Sequence, residues 1–246
     1  MNQNKKIISN VLLAGTIAVL TGCAATQTAL EHRTLEVSTK QSETVFLDPV
    51  SKAKKTIYVS IKNTSDESID ITPQLKTALS NQGYRVVSQP NLAHYLLQAN
   101  ILKVGKMSIA ASQSALGGGY GSAVAGAVVG TAAGSFTHSS SGLIAGGLAG
   151  GVIGLAADSL VKAVNYTMIT DVQISERVGK GAVHEQFNSN LQNGSASGTY
   201  QTSSKHSDYQ RYRTRVVSNA DKVNLTFAQA RPALEQGLVK TLAGIF

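Results

Sequence analysis

The sequence has no tryptophan and a single cysteine, Cys23, among its 246 residues. One cysteine excludes a disulfide within the chain, and an unmodified thiol would be reactive in an oxidising compartment. The five histidines include no pair at i,i+4 spacing and have no second cysteine near them, which argues against a metal site. No nucleophile-elbow motif or pair of carboxylates indicates a catalytic centre. We therefore predict that the protein is not an enzyme and holds neither a metal nor any other cofactor.

Charge is missing from one long stretch, because no Lys, Arg, Asp or Glu occurs between Lys106 and Asp158. This stretch contains two apolar runs, 118–135 and 142–161, separated by the polar turn 136–141. Each run has close to the roughly 20 residues that an α-helix needs to cross the hydrocarbon core of a bilayer. The pattern predicts a helical hairpin associated with a membrane.

Glycine recurs at every fourth position within these runs, which places the glycines on one face of each predicted helix. Such a row forms a groove in which a neighbouring helix packs closely in lipid, and weakly apolar helices of this kind need partners, which predicts a homo-oligomer. Glycine costs about 1 kcal/mol per helical position in water, so a flexible linker is the alternative. The predicted packing positions are Gly126, Gly130, Gly134, Gly142, Gly146, Gly150 and Gly154.

The N-terminus has the features of a bacterial lipoprotein signal. Lys5 and Lys6 precede an apolar run at 11–20, which ends in Leu-Thr-Gly before Cys23. The run is short for an uncleaved anchor helix, which is the alternative, and suits a signal peptide at 1–22. We predict cleavage before Cys23 and attachment of acyl chains to it. Ala24 is not the aspartate that retains lipoproteins in the inner membrane, so we predict the outer membrane of a Gram-negative cell.

The formal net charge of +8 falls to +6 once Lys5 and Lys6 are removed with the signal. The remaining cations are spread along the chain, so we predict no binding of nucleic acid. Arg211, Arg213 and Arg215 alternate along a predicted strand and would therefore lie on one face of it. Such a face is either solvated or contacts an anionic partner, for example the phosphates of lipopolysaccharide.

The segments on either side of the uncharged stretch predict an α+β domain, a small sheet with helices on one face, interrupted by the Gly/Ala-rich hydrophobic hairpin. Thr72 and Pro73 mark the start of one helix, and apolar residues at helical spacing from Phe227 to the C-terminus indicate another. The predicted strands are 56–61, 84–88, 94–107, 165–178, 197–204 and 209–218.

These elements divide the chain into five parts. The stretch 179–197 is rich in Gly, Asn and Ser and predicts a mobile loop inside the last part. The parts are a signal peptide (1–22), a lipidated tether (23–50), the first half of the α+β domain (51–107), the membrane-associated hairpin (108–163) and the second half of the domain (164–246).

Several strings resemble the TraT family of surface-exclusion and complement-resistance lipoproteins. They are VNYTMITDVQI at 164–174, TRVVSNA at 214–220, shorter matches at 35–37 and 61–66, the lipobox and the Gly/Ala-rich segment. The resemblance implies an outer-membrane, surface-exposed homo-oligomer lipidated at Cys23. It also implies resistance to complement and a block on mating-pair formation with cells already carrying the plasmid, through contact with a donor pilus or another mating-pair surface component.

The alternative function is a pore-forming or secretion-associated lipoprotein of the outer membrane. A water-filled pore would require polar residues at helical spacing along the hairpin, whereas only scattered Ser and Thr occur there. The sequence therefore favours a sealed membrane segment over a channel.

Overall fold

The computed structural model describes residues 32–124, 162–179 and 208–246, together with the backbone of two short strands at 182–186 and 202–206. Within these residues, no helix combines the length and the apolar character needed to cross a membrane. Cys23 and the seven glycines predicted to pack the hairpin, Gly126 to Gly154, lie outside the described residues, so the hairpin stays a prediction.

Six of the described strands form one mixed sheet, and two more form a separate antiparallel ribbon. In the sheet, β1 is Glu36–Gln41, β2 Thr56–Asn63, β3 Arg85–Val86, β4 Tyr95–Lys106, β5 Ala163–Arg177 and β8 Tyr209–Val223; in the ribbon, β6 is Ala182–Gln186 and β7 Thr202–His206. The order across the sheet is β1-β8-β5-β4-β2-β3. The pairs within β1-β8-β5-β4 are antiparallel, and those within β4-β2-β3 are parallel.

Two helices, α1 (Thr72–Asn81) and α3 (Phe227–Ala243), cover one face of the sheet. Alternate residues of the strands point to this face, and leucines at helical spacing meet them from α1 and α3. This arrangement confirms the predicted α+β class. Buried residues of the resulting core include Leu75, Leu79, Tyr95, Leu97, Ile101, Met168, Val172, Ile174, Val216, Leu234, Leu238 and Leu242.

A third helix, α2 (Ile109–Gly118), packs on the opposite face, which corrects the prediction that helices lie on one face only. Ile169 and Val217 point to that face and are buried with Met107 beneath α2. The sequence-based boundary assigned 108–163 to the hairpin, but residues 108–124 lie on the sheet. The physical reason is that β5 and β8 are apolar on both faces at this level, so each face needs a cover.

Two further segments differ from the sequence-based assignment. Part of the predicted tether forms the edge strand β1, and Val45 and Leu47 beyond it pack against the core. The predicted loop at 179–197 contains strand β6, which pairs with β7. Strands β1 and β6 could not be recognised from their sequences, because they are polar. An edge strand and a two-stranded ribbon need no continuous apolar face.

Gly237 allows α3 to lie directly against the edge strand. A Cβ atom at this position would lie 2.5 Å from the Oγ1 of Thr39 on β1, which is far inside van der Waals contact. The absence of a side chain therefore permits this close approach.

Core packing beneath α3 makes a direct prediction for stability. Leu234→Ala should lower the free energy of unfolding by about 2–5 kcal/mol, because Leu234 is fully buried and its removal leaves a cavity. Leu92→Ala is the matched control, since Leu92 is 58% exposed and should change the stability by less than about 0.5 kcal/mol. Urea titrations of both variants would measure the difference. Equal effects would contradict the burial of α3.

Candidate functional site

A buried ion pair lies at the point where the chain leaves the sheet for the uncharged segment. Strands β5 and β8 pair over their full length of 15 residues each, and this register places Asp171 opposite Arg215. The Nε of Arg215 donates to Oδ1 of Asp171 at 2.6 Å, and Nη2 donates to Oδ2 at 3.1 Å. The Arg215 side chain is fully buried, and that of Asp171 is 11% exposed. The ion pair is therefore bidentate and almost completely shielded from solvent.

The remaining donors of Arg215 bind the residues that follow α2. Nη1 donates to the carbonyl of Ala115 at 3.2 Å and to Oγ of Ser122 at 2.6 Å, and Nη2 donates to the carbonyl of Ser122 at 2.8 Å. A guanidinium has five N–H donors, and all five are thus used. A buried cation is tolerated only when it is paired and hydrogen-bonded in this way.

The carboxylate of Asp171 also accepts a hydrogen bond from the backbone N–H of Gly121 at 2.8 Å. Gly121 has a φ of +75°, a conformation that glycine adopts without strain. The ring of the neighbouring Tyr120 lies under the guanidinium of Arg213, 5.6 Å from its centroid. Asp171, Arg213 and Arg215 together fix the stretch 119–122 to the sheet, immediately before the uncharged segment continues.

The three arginines lie on one face of β8, as the alternation predicts. Arg215 is buried beneath α2, and its charge is used by Asp171. Arg213 is half-buried and donates from Nε to Oε1 of Gln173 at 2.8 Å, and Arg211 is also half-buried. The contact with an anionic partner stays a prediction for Arg211 and Arg213, while Arg215 has an internal structural role.

The connections to the N-terminus and to the uncharged segment meet at one end of the sheet. The N–H of Val223 donates to the carbonyl of His32 at 2.9 Å, and the N–H of Asn224 donates to the carbonyl of Lys162 at 2.8 Å. His32 also pairs with Asp221. We call the end formed by His32, Lys162, Val223 and Asn224 the proximal end.

Helix α2 begins near the same end, because Met107 exchanges hydrogen bonds with Asn165, the third residue of β5. The residues after α2 lie farther along the sheet, since Gly121 and Ser122 bind Asp171 and Arg215 in the middle of β5 and β8. The uncharged segment therefore rejoins the sheet at the proximal end, whereas the residues that lead into it are fixed nearer the middle of the sheet.

A cluster of titratable groups lies at the opposite, distal end of the sheet. Glu176 is nearly buried, accepts hydrogen bonds from the hydroxyls of Tyr95 (3.4 Å) and Tyr212 (3.1 Å), and lies 3.8 Å from Nε2 of His94. Burial, followed by the charge of Glu176, raises the pKa of Tyr212 to about 12 and also raises the pKa of Tyr95. Burial lowers the pKa of His94, and the charge of Glu176 opposes this shift. Nε2 of His94 has no hydrogen-bond partner among the described residues.

An open groove of about 800 Å³ runs between β1 and α3. Phe46 borders it with 83% of its surface exposed, and Val37 of β1 is 44% exposed. The outer edge of β1 pairs with no other strand of the described sheet. Apolar groups beside an open strand edge are a typical surface for protein contact.

Sequence reasoning missed the role of Asp171, although a signal was present. Asp171 is the only charged residue between Lys162 and Glu176, inside an otherwise apolar and uncharged polar strand. A charge in the middle of a buried strand needs a partner, and Arg215 is the cation at the matching position of β8. Among the described residues, no group of three or more His, Cys, Asp or Glu side chains could hold a metal ion.

The comparisons with known proteins extend over this whole arrangement. The family model described as enterobacterial TraT complement resistance protein matches residues 34–246. The chain belongs to the TraT family. The family assignment confirms the resemblance given by the sequence motifs.

Individual TraT proteins match from end to end. One TraT complement resistance protein of Escherichia coli K12 is 43% identical over 247 residues, which cover 100% of both chains. Another from Escherichia coli is 44% identical over 245 residues, or 99% of both chains. A more distant TraT protein, of Wigglesworthia glossinidia brevipalpis, is 27% identical over 229 residues. These relatives are named for complement resistance rather than for an enzymatic activity.

The buried ion pair makes the sharpest prediction for stability in this TraT chain. Asp171→Asn should lower the free energy of unfolding by about 3–5 kcal/mol, because it leaves the guanidinium of Arg215 buried without a counter-charge. Asp66→Asn is a matched control, since Asp66 pairs with Lys103 at 3.8 Å but its side chain is 90% exposed, and such a pair contributes about 0–1 kcal/mol. Denaturant titration would measure both, and a comparable loss in the two variants would contradict the burial of the pair.

The partly buried His94, whose side chain is 10% exposed, leads us to expect that stability depends on pH. Because burial lowers the pKa of His94 in the folded state, the unfolded chain binds a proton more readily as the pH falls below 6.5. Stability should therefore decline on acidification through this range, with a slope of at most about 1.4 kcal/mol per pH unit from this group. His94→Gln should reduce the slope, as measured by urea titration at several pH values. An unchanged slope would exclude His94 as the source.

Proposed function

We propose that this protein is an oligomeric lipoprotein of the outer membrane, exposed at the cell surface, which confers resistance to complement and blocks mating-pair formation with cells that already carry the plasmid. The observation that carries the proposal is the 43% identity to a TraT complement resistance protein of Escherichia coli K12 along the entire length of both chains. The matched region covers 100% of both chains, so it includes the lipobox and the uncharged segment.

Lipidation at Cys23 is the first requirement of this function. More than one acyl chain makes a stable membrane anchor, because each buried methylene contributes about 0.8 kcal/mol. The described domain begins at His32, which leaves a short tether between the lipid and the sheet. Such a tether would hold the domain close to the membrane that receives the acyl chains.

Self-association is the second requirement. The glycine rows at Gly126–Gly134 and Gly142–Gly154 would let copies of the hairpin pack against each other in lipid. The groove between β1 and α3, with Phe46 at its border, offers an additional apolar surface to a second copy. In the proposed function, the oligomer would bind a donor pilus or another mating-pair component. This binding would block productive contact between the mating cells.

Two substitutions at neighbouring positions test the function by changing the membrane in which the protein is located. Cys23→Ser should prevent lipidation, and Ala24→Asp should leave the protein lipidated but retained in the inner membrane. Both variants should lose serum resistance and restore the mating efficiency of the recipient cells, while Ala24→Ser should behave as the wild type. The measurements are survival in normal against heat-inactivated serum, and transconjugant frequency with several donor plasmid types.

Each outcome of this experiment is informative. Full serum resistance in both variants would overturn the outer-membrane location as the basis of the function. Wild-type protein that changes neither serum survival nor mating frequency with any donor would overturn the proposed function itself. Membrane fractionation of each strain verifies that the variants are produced and located as designed.

A further inference from the structure

We infer that the proximal end of the sheet rests on the phosphate-bearing surface of the membrane that holds the acyl chains, with the strands of β5 and β8 directed away from it. This inference rests on the proposed function, because it requires attachment through Cys23 and the uncharged segment. The proposed partner of the proximal end is thus the anionic surface of the lipid bilayer.

The two predicted membrane attachments join the sheet at one end. Nine residue steps separate Cys23 from His32, which limits their separation to about 30 Å even in a fully extended chain. The uncharged part of the second apolar run ends before Asp158, so only residues 158–161 separate it from Lys162. His32 and Lys162 are bound to the adjacent residues Val223 and Asn224, so both attachments leave from one point on the sheet.

Strand β5 is long enough to separate the two ends of the sheet widely. Fifteen residues of β5 at about 3.3 Å each place Arg177 roughly 45 Å from Ala163. Because only residues 158–161 lie between Lys162 and the uncharged run, the proximal end must lie close to the membrane boundary if that run lies in lipid. The distal end, with Tyr209 paired to Arg177 and the β6–β7 ribbon joined to it, then lies far from the surface.

Cations outnumber acids at the proximal end. Arg33, Lys106 and Lys162 are exposed, and Lys222 is half-buried beside them, paired in register with Val164. The carboxylate of Asp221 at this end is occupied by His32, which leaves Glu36 on β1 and Glu67, whose charge acts on Tyr166, as the acids nearby. The excess of cations suits a surface of lipid phosphates, which attracts Lys and Arg side chains that lie close to it.

The absence of other cysteines makes the inference directly testable in the full-length lipidated protein. Once Cys23 is acylated, an introduced cysteine is the only reactive thiol. Ala163→Cys places a fluorescent label at the proximal end, and Gln210→Cys is the matched control at the distal end, since both positions are exposed. The labelled proteins are reconstituted into vesicles of phosphatidylethanolamine and phosphatidylglycerol that contain a lipid with a nitroxide on its headgroup.

The headgroup nitroxide should quench most of the fluorescence of the label at position 163. The fluorescence of the label at position 210 should be unchanged. The charge contribution is tested in the Ala163→Cys protein by reversing Lys162 and Lys222 to Glu, which should weaken quenching. Reversal of Lys52 and Lys54, exposed cations that precede β2 at the distal end, should leave the quenching unchanged.

The outcomes separate the orientation from the proposed function. Protein that floats with the vesicles but is quenched equally at both positions, or more strongly at position 210, overturns the orientation and leaves lipid anchoring intact. Lipidated protein that fails to float with the vesicles overturns both the anchoring and the orientation that depends on it. Equal effects of the two charge reversals would overturn the role of the proximal cations.

Discussion

The long ladder between β5 and β8 is the constraint on which the rest of the structure depends. Its unbroken register over 15 residues sets Asp171 against Arg215 in the middle and Ala163 against Val223 at one end. A shift by one residue would exchange the two faces of each strand, so that apolar residues of the main core would face α2 instead. This one register determines the buried ion pair and the face of the sheet that α2 covers. It also determines where the uncharged segment rejoins the sheet.

The ion pair is better explained by orientation than by stability. Taking two charges out of water is expensive, and an apolar pair of similar size is often equally stable in such a position. An apolar pair could not make directional hydrogen bonds to the chain. Arg215 donates hydrogen bonds to Ala115 and Ser122, and Asp171 accepts one from Gly121. These bonds specify the path of the chain between α2 and the uncharged segment. In a stretch rich in small residues, a fixed point of this kind determines where the chain leaves the sheet.

The sequence allowed the α+β class and most elements to be predicted, because the core strands and α3 have clear apolar periodicity. Leu97 and Ile101 on β4 alternate as a half-buried strand requires, and Leu234 and Leu238 recur at helical spacing. Strand β1 and α2 were not assigned, since their polar or small residues have no periodicity that separates them from a tether or a membrane segment. The partnership of Asp171 with Arg215 depends on strand register, a long-range property that no local pattern contains.

The position of the uncharged segment in the topology explains how one chain combines a folded domain with such an insertion. Strands β4 and β5 are neighbours in the sheet and run antiparallel, so everything between them occupies the place of a hairpin loop. The entropic cost of closing a loop grows only logarithmically, by about 0.6 kcal/mol for each doubling of its length. Lys106 and Tyr166 pair across the base of this loop, and Met107 with Asn165 extends the contact. The domain can therefore close its own sheet whatever environment the segment occupies, so folding of the domain and insertion of the segment need not be simultaneous.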